Sequence, residues 1–227
     1  MLALLAALAA ALPLEASARD FRFRAIGFLV EARELYFVDG ENVGRFELRD
    51  RLISGEVSYG GGAPLLLYAE PPQLDDPEAP LPAVVHRLPV PGDGQPRLIA
   101  FLPADGGTGD AGYRTIALRD QRSAASDGGT IRCYNFTRSE LGIKLGDSLD
   151  RVQPLSLIEW RNAGEQRRAF VMLVAEDSNT DELRRLRSGY VRLSRNARTL
   201  LFVMPGTNPA SADGTPDLRL FQVYDFL

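Results

Sequence analysis

The sequence predicts an all-β protein made of two tandem antiparallel β-sandwich domains of similar topology. Three observations carry this. Short runs of β-branched, aromatic and leucine residues recur every 8–15 residues, broken by Gly, Pro, Asp or Asn. Helical periodicity is almost absent, and the second half repeats the plan of the first. The 227 residues are 45% hydrophobic and 25% charged, enough for two cores of roughly 100 residues each. A disordered tail or a fibre does not have this composition.

In chain order, Met1 to Leu12 is an uncharged Leu/Ala run, followed by Pro13 and then by Ala16, Ser17 and Ala18 ahead of Arg19. Twelve apolar residues are too few to span a bilayer as a helix, which takes roughly 20. Small residues at Ala16 and Ala18 fit signal-peptidase cleavage, so residues 1–18 read as a signal peptide and 209 residues remain. No basic residue precedes the run, and the alternative is a buried N-terminal helix. No second stretch approaches spanning length, so no membrane span is expected in the mature chain.

The first domain, residues 19–121, has candidate strands at Phe21–Phe28, Glu34–Val38, Val43–Leu48, Pro64–Glu70, Val84–Val90, Arg97–Leu102 and Arg114–Leu118. Asp39-Gly40 lies between two of them and favours the positive φ of a tight hairpin. Pro71 to Pro82 is proline-rich and reads as a variable inter-strand loop. Arg122 to Gly129 is small and polar, a linker to the second domain at 130–227.

The repeat shows at three places. Phe21–Arg24 precedes Ile131–Tyr134 by 110 positions, Leu67–Glu70 precedes Leu173–Glu176 by 106, and Leu98–Pro103 precedes Leu200–Pro205 by 102. Loop insertions account for such drift while strands stay fixed. Each copy ends in a closing strand that reaches Asp120 or Asp225. Two sandwiches of six or seven strands follow. The best helical segment is Asp181 to Arg187, with Thr180 as N-cap and Gly189 as stop.

The apolar leader, the alternating first strand, the Leu35–Gly40 hairpin, the turn at Gly60 to Gly62 and the repetition resemble secreted bacterial β-sandwich domains of unknown function with immunoglobulin-like topology. The resemblance implies placement outside the cytoplasm and brings no catalytic motif. The second copy departs from it at Leu145, Gly146 and Asp147, where the Val-Asp-Gly order is missing.

The net charge of −4 does not supply the cationic face that a nucleic-acid partner needs. Of the 26 basic residues only Lys144 is lysine, a genomic bias rather than a chemical signal. One Cys and one His exclude an intrachain disulfide framework and a Cys/His zinc site. Ile131 and Cys133 share a strand face by alternation, so Cys133 reads as a small buried hydrophobe, with an intermolecular disulfide as the alternative.

Gly107, Gly109 and Gly112 match the Gly-x-Gly-x-x-Gly spacing of dinucleotide loops, but a strand rather than a helix is expected to follow, and no such cofactor is assigned. Ser58 lacks the first glycine of a nucleophile elbow, since Glu56 stands there. His86 has no evident partner and reads as structural. Asp75 and Asp76 lie in the proline-rich loop, where solvation leaves no reason for a raised pKa. Asp105 with Asp110, and Asp213 with Asp217, place hard oxygen ligands in equivalent loops, a possible calcium site, although Asp and Gly are also ordinary turn residues. The Asn135-Phe136-Thr137 sequon falls in a strand and reads as incidental. Trp160, the single tryptophan, is either core or an aromatic platform for a sugar ring. Arg184, Arg185 and Arg187 have acids beside them and read as a solvated face.

The function expected is that of an exported, non-enzymatic envelope or binding module for a protein or polysaccharide. The alternative is a loop-built hydrolase using acidic residues, with or without a metal, which would need two converging carboxylates in a pocket. A third reading is a subunit of a surface assembly joined by β-augmentation at an exposed edge.

Overall fold

The computed structural model describes residues 20–76, 78–104, 112–120, 130–161, 168–176, 183–193, 197–206 and 217–226. Residues 1–18, the 122–129 linker, Asp105, Gly107, Gly109, Asp110, Thr180, Asp181 and Asp213 lie outside them. The elements described are all strands. The first half carries β1 (Phe21–Gly27), β2 (Arg33–Asp39), β3 (Asn42–Leu48), β4 (Val57–Tyr59), β5 (Leu65–Tyr68), β6 (Val84–Leu88), β7 (Arg97–Pro103) and β8 (Tyr113–Arg119). The second carries β9 (Ile131–Asn135), β10 (Leu141–Leu145), β11 (Ser148–Val152), β12 (Leu157–Trp160), β13 (Arg168–Glu176), β14 (Leu183–Arg192), β15 (Ala197–Pro205) and β16 (Leu218–Phe226).

Each half is a sandwich of two four-stranded sheets, in the orders β4-β1-β7-β8 and β3-β2-β5-β6, then β12-β9-β15-β16 and β11-β10-β13-β14. The orders are identical when eight is added to each strand number. Among the described residues each half thus has eight strands rather than six or seven, the first half's addition being β4, only three residues long. Pairing is antiparallel apart from one central parallel pair per half, β1–β7 and β9–β15. A parallel pair needs a long crossover, and the intervening strands of the opposite sheet supply it.

Register sharpens the repeat. Leu98 lies opposite Arg24, and Leu200 lies opposite Arg132. With Leu98 and Leu200 equivalent, β1 precedes β9 by 108 residues, so Arg24 corresponds to Arg132 rather than to Tyr134. A slip of two preserves the face of every side chain, so alternation cannot detect it. The 106-residue offset holds, because Tyr36 pairs with Tyr68 as Gly142 pairs with Val174. Both copies also bulge at the same place, between Leu67 and Tyr68 and between Leu173 and Val174. The hairpins agree too, with Gly40 at φ 61° and Gly146 at φ 59° opening two-residue turns. Positive φ is inexpensive only for glycine, and Gly146 keeps this turn although the Val-Asp-Gly order is lost.

Three cores result. Phe23, Leu35, Phe37, Phe46, Leu65 and Phe101 fill the first sandwich, and Ile131, Cys133, Ile143, Leu173, Leu201 and Val203 fill the second. The third joins the halves: Ile26, Phe28, Leu98 and Ala100 pack against Tyr134, Phe136, Leu200 and Phe202. Phe28 and Tyr134 lie 4.7 and 5.0 Å from the Phe202 ring. The expectation of two cores, one per half, is thus corrected. Residues alternating along β1, β7, β9 and β15 are buried on both faces; β7 and β15 accordingly read as near-continuous apolar runs, whereas β1 and β9 interleave Arg24 and Arg132 with apolar residues. The inner sheets sit back to back, leaving two outer sheets with one face toward solvent.

The segment read as a helix from Asp181 is strand from Leu183 onward. Leu and Arg favour helix in isolation, but the cross-strand partners supplied by β13 override that propensity.

Candidate functional site

Four charged side chains lie sealed at the join between the halves. Arg24 donates from Nε and Nη2 to Asp120 at 2.8 and 3.0 Å, and from Nη1 and Nη2 to Asp225 at 2.5 and 2.8 Å. Arg198 donates from Nε to Asp225 at 2.7 Å and from Nη2 to Asp120 at 2.6 Å. Each guanidinium touches both carboxylates, and two of the four links cross between the halves. The Arg198 side chain is 1% exposed. Burial alone would raise the pKa of Asp120 and Asp225, but hydrogen bonds and charge from the two arginines outweigh it and hold both below the ordinary range.

Asp120 and Asp225 are equivalent in the repeat, as the closing strands suggested. Arg198 is not: its counterpart is Pro96, whose carbonyl accepts from Asp120 N as Arg198 faces Asp225. Arg132, the counterpart of Arg24, pairs instead with Glu159. These two carboxylates converge as a hydrolase pair would, yet both are saturated by guanidinium and closed to solvent. The cluster is a structural clamp.

The remaining singled-out positions that the structure describes are placed as follows. Cys133 is fully buried in the second core, and burial pushes its thiol pKa up. Asn135 is 0% exposed and its Nδ2 donates to the carbonyls of Ser139, Val152 and Gln153, so the sequon asparagine closes a turn. His86 Nε2 lies 3.1 Å from Thr115 Oγ1, and burial lowers its pKa. Gly112 leads into strand β8, and Ser58 lies within strand β4. Asp75 and Asp76 are exposed. Asp217 precedes β16, where its carbonyl accepts from Gly206 N. Among the described residues no group of three His, Cys, Asp or Glu side chains could hold a metal ion.

Trp160 is not an open platform. It is half-buried against the second core and its Nε1 donates to Asp150 Oδ2 at 2.8 Å. A groove of about 280 Å³ lies between β3 and the segment leading to β4, lined by Arg45, Glu47, Arg49, Leu52, Ser54 and Glu56. Its arginines are engaged within the groove's own surroundings, Arg45 by Glu34 at 3.2 Å and Arg49 by Glu47 at 2.5 Å.

The open aromatic surface lies elsewhere, on the outward face of β11-β10-β13-β14. Ala169, Val171 and Leu173 point inward, so Arg168, Phe170 and Met172 point out. Phe170 lies opposite Tyr190, the rings 5.3 Å apart in a T-shaped pair. Tyr190 is 72% and Phe170 36% exposed. On one side of this pair Arg168 faces Arg192. On the other, Leu149, Lys144, Met172 and Ser188 form a row across all four strands. Beyond them Arg151, Gly142, Val174 and Arg185 form the next. The sequence reading missed this face because the segment holding Tyr190 followed a supposed helix. Alternation of Tyr190 with Val191 was the available signal. Comparison with known proteins finds no family model and no curated protein that matches the chain.

Proposed function

We propose that this protein is an exported, non-enzymatic module of the cell envelope that binds a polysaccharide on the outward face of its second sandwich. The observation that carries the reading is the Phe170–Tyr190 pair, two solvent-facing aromatic rings on a regular sheet. Large apolar rings are normally buried, and an exposed pair amid polar groups marks a binding surface. Aromatic faces stack on the C–H faces of sugar rings, while a Tyr hydroxyl and neighbouring cations take up the polar edges. The sheet holds the rings in place, so little conformational freedom is lost on binding. Export rests on the leader at residues 1–18 and on the resemblance to secreted β-sandwich domains.

Affinity electrophoresis through gels containing a panel of neutral and charged polysaccharides tests the binding. At least one should retard the protein, and the Phe170→Ala/Tyr190→Ala double variant should migrate as if no polysaccharide were present. Retardation by none overturns the reading. For export, the protein recovered from its source should begin at Arg19, as read by intact mass; a chain retaining Met1 in the cytoplasm contradicts it.

A further inference from the structure

The ligand's charge can be inferred from how the same face is furnished, an inference that rests on the polysaccharide reading. Arg168 and Arg192 are Cα partners on β13 and β14, both exposed on the outward face. Like charges directly opposite each other destabilise a sheet. They stand one row from Phe170 and Tyr190, and Lys144 stands one row beyond on the other side. Arg185 extends the cationic character to the far row, where Arg151 is paired with Glu140. The outward strand positions of this sheet thus hold Lys144, Arg151, Arg168, Arg185 and Arg192; Arg151 is paired with Glu140 at 3.1 Å just before β10, and no carboxylate is described in the rows of Phe170 and Tyr190 or of Arg168 and Arg192. The protein as a whole carries −4, so this sign is local and opposite to the net charge.

We infer that the ligand is an anionic polysaccharide, with Phe170 and Tyr190 stacking on its rings and Arg168 and Arg192 pairing with its acidic groups. A carboxylate or sulfate placed between the two guanidiniums takes up bidentate hydrogen bonds and relieves their repulsion. The four rows span about 20 Å at 3.4 Å per residue, long enough for several sugar units. Free nucleic acid and membranes also carry negative charge, so the test includes a vesicle arm.

The mature full chain is run through native gels containing alginate, dextran sulfate or neutral dextran, and is cosedimented with phosphatidylglycerol vesicles. The expected result is retardation by alginate or dextran sulfate, at least tenfold weaker in Arg168→Glu/Arg192→Glu, with circular dichroism unchanged. Arg45→Glu/Arg87→Glu on the other outer sheet changes charge equally and should leave retardation within twofold of the parent. Equal losses in both double variants would mean attraction by overall charge and would overturn the inference. Retardation by neutral dextran alone overturns it while leaving the polysaccharide reading intact. No retardation in any gel removes both, as does vesicle binding without polysaccharide binding.

Discussion

The two outer sheets share strand order, a glycine-led hairpin and a bulge at the same position, yet their solvent faces differ in kind. On the first, Arg45 pairs with Glu34 at 3.2 Å, Tyr36 donates to the same carboxylate at 2.6 Å, and Glu47 pairs with Arg49. On the second, Gly142 replaces Tyr36, Lys144 and Arg151 stand on the outward face, and Arg168 opposes Arg192 beside two exposed rings. The first face pairs these charges with one another; on the second Arg151 is paired with Glu140, but the Arg168–Arg192 pair is left as opposed like charge beside open aromatic area. Backbone geometry has been held constant while surface chemistry diverged, as expected when one copy keeps a scaffold role and the other acquires a ligand. The inner sheets show the opposite history. They have become mutually dependent through a shared core and an ion cluster that neither half completes alone.

The largest effects should therefore come from the join. Phe202→Ala removes the ring that Phe28, Tyr134 and Phe136 surround, and should cost about 4 kcal/mol in chemical denaturation. Because the core is shared, the parent should unfold in one cooperative transition seen alike by tyrosine and Trp160 fluorescence. Two separated transitions would show that the halves are thermodynamically independent. Asp225→Asn leaves Arg24 and Arg198 sharing one carboxylate in a dry site and should cost about 3 kcal/mol. Its pH behaviour follows from sign. Asp120 and Asp225 have folded pKa values held below the ordinary range, so their contribution is full above the unfolded carboxylate value of about 3.9 and fades as pH falls through the folded one. Melting temperature should thus drop in strong acid, and the Asp225→Asn variant should lose less there than the parent.

Most of the fold was legible because period-2 alternation and turn residues report it directly. What escaped had physical reasons. The three residues of β4 between Gly55 and Gly60 are too few for a pattern. The β14 bulge shifts its alternation midway, and its Arg and Leu residues favour helix. Asp120 and Asp225 were visible as matched strand ends, but Arg198 has Pro96 as its counterpart, so the repeat gave no reason to pair it with them. Trp160 drew attention as a rare residue, whereas burial, which one residue type does not reveal, sets it against the core. The Phe170–Tyr190 pair joins two strands 20 positions apart, and only register brings it together.

The smallest effect discriminates most sharply between the two outer faces. Arg168→Glu turns an opposed like pair into an opposite pair, which in a sheet is worth roughly 0.2–1 kcal/mol. The variant should be more stable than the parent by a few tenths of a kcal/mol, with the gain shrinking as salt screens both states. The corresponding reversal on the first sheet, Glu34→Arg, breaks the Arg45 pair and the Tyr36 hydrogen bond and should lower stability by a similar amount. Urea titrations at low and high salt measure both. A stabilising reversal on one face and a destabilising one on the other would mean that the second sheet carries repulsion the first has eliminated. Repulsion retained on an exposed face, where substitution could readily remove it, is what selection for an anionic partner would leave behind.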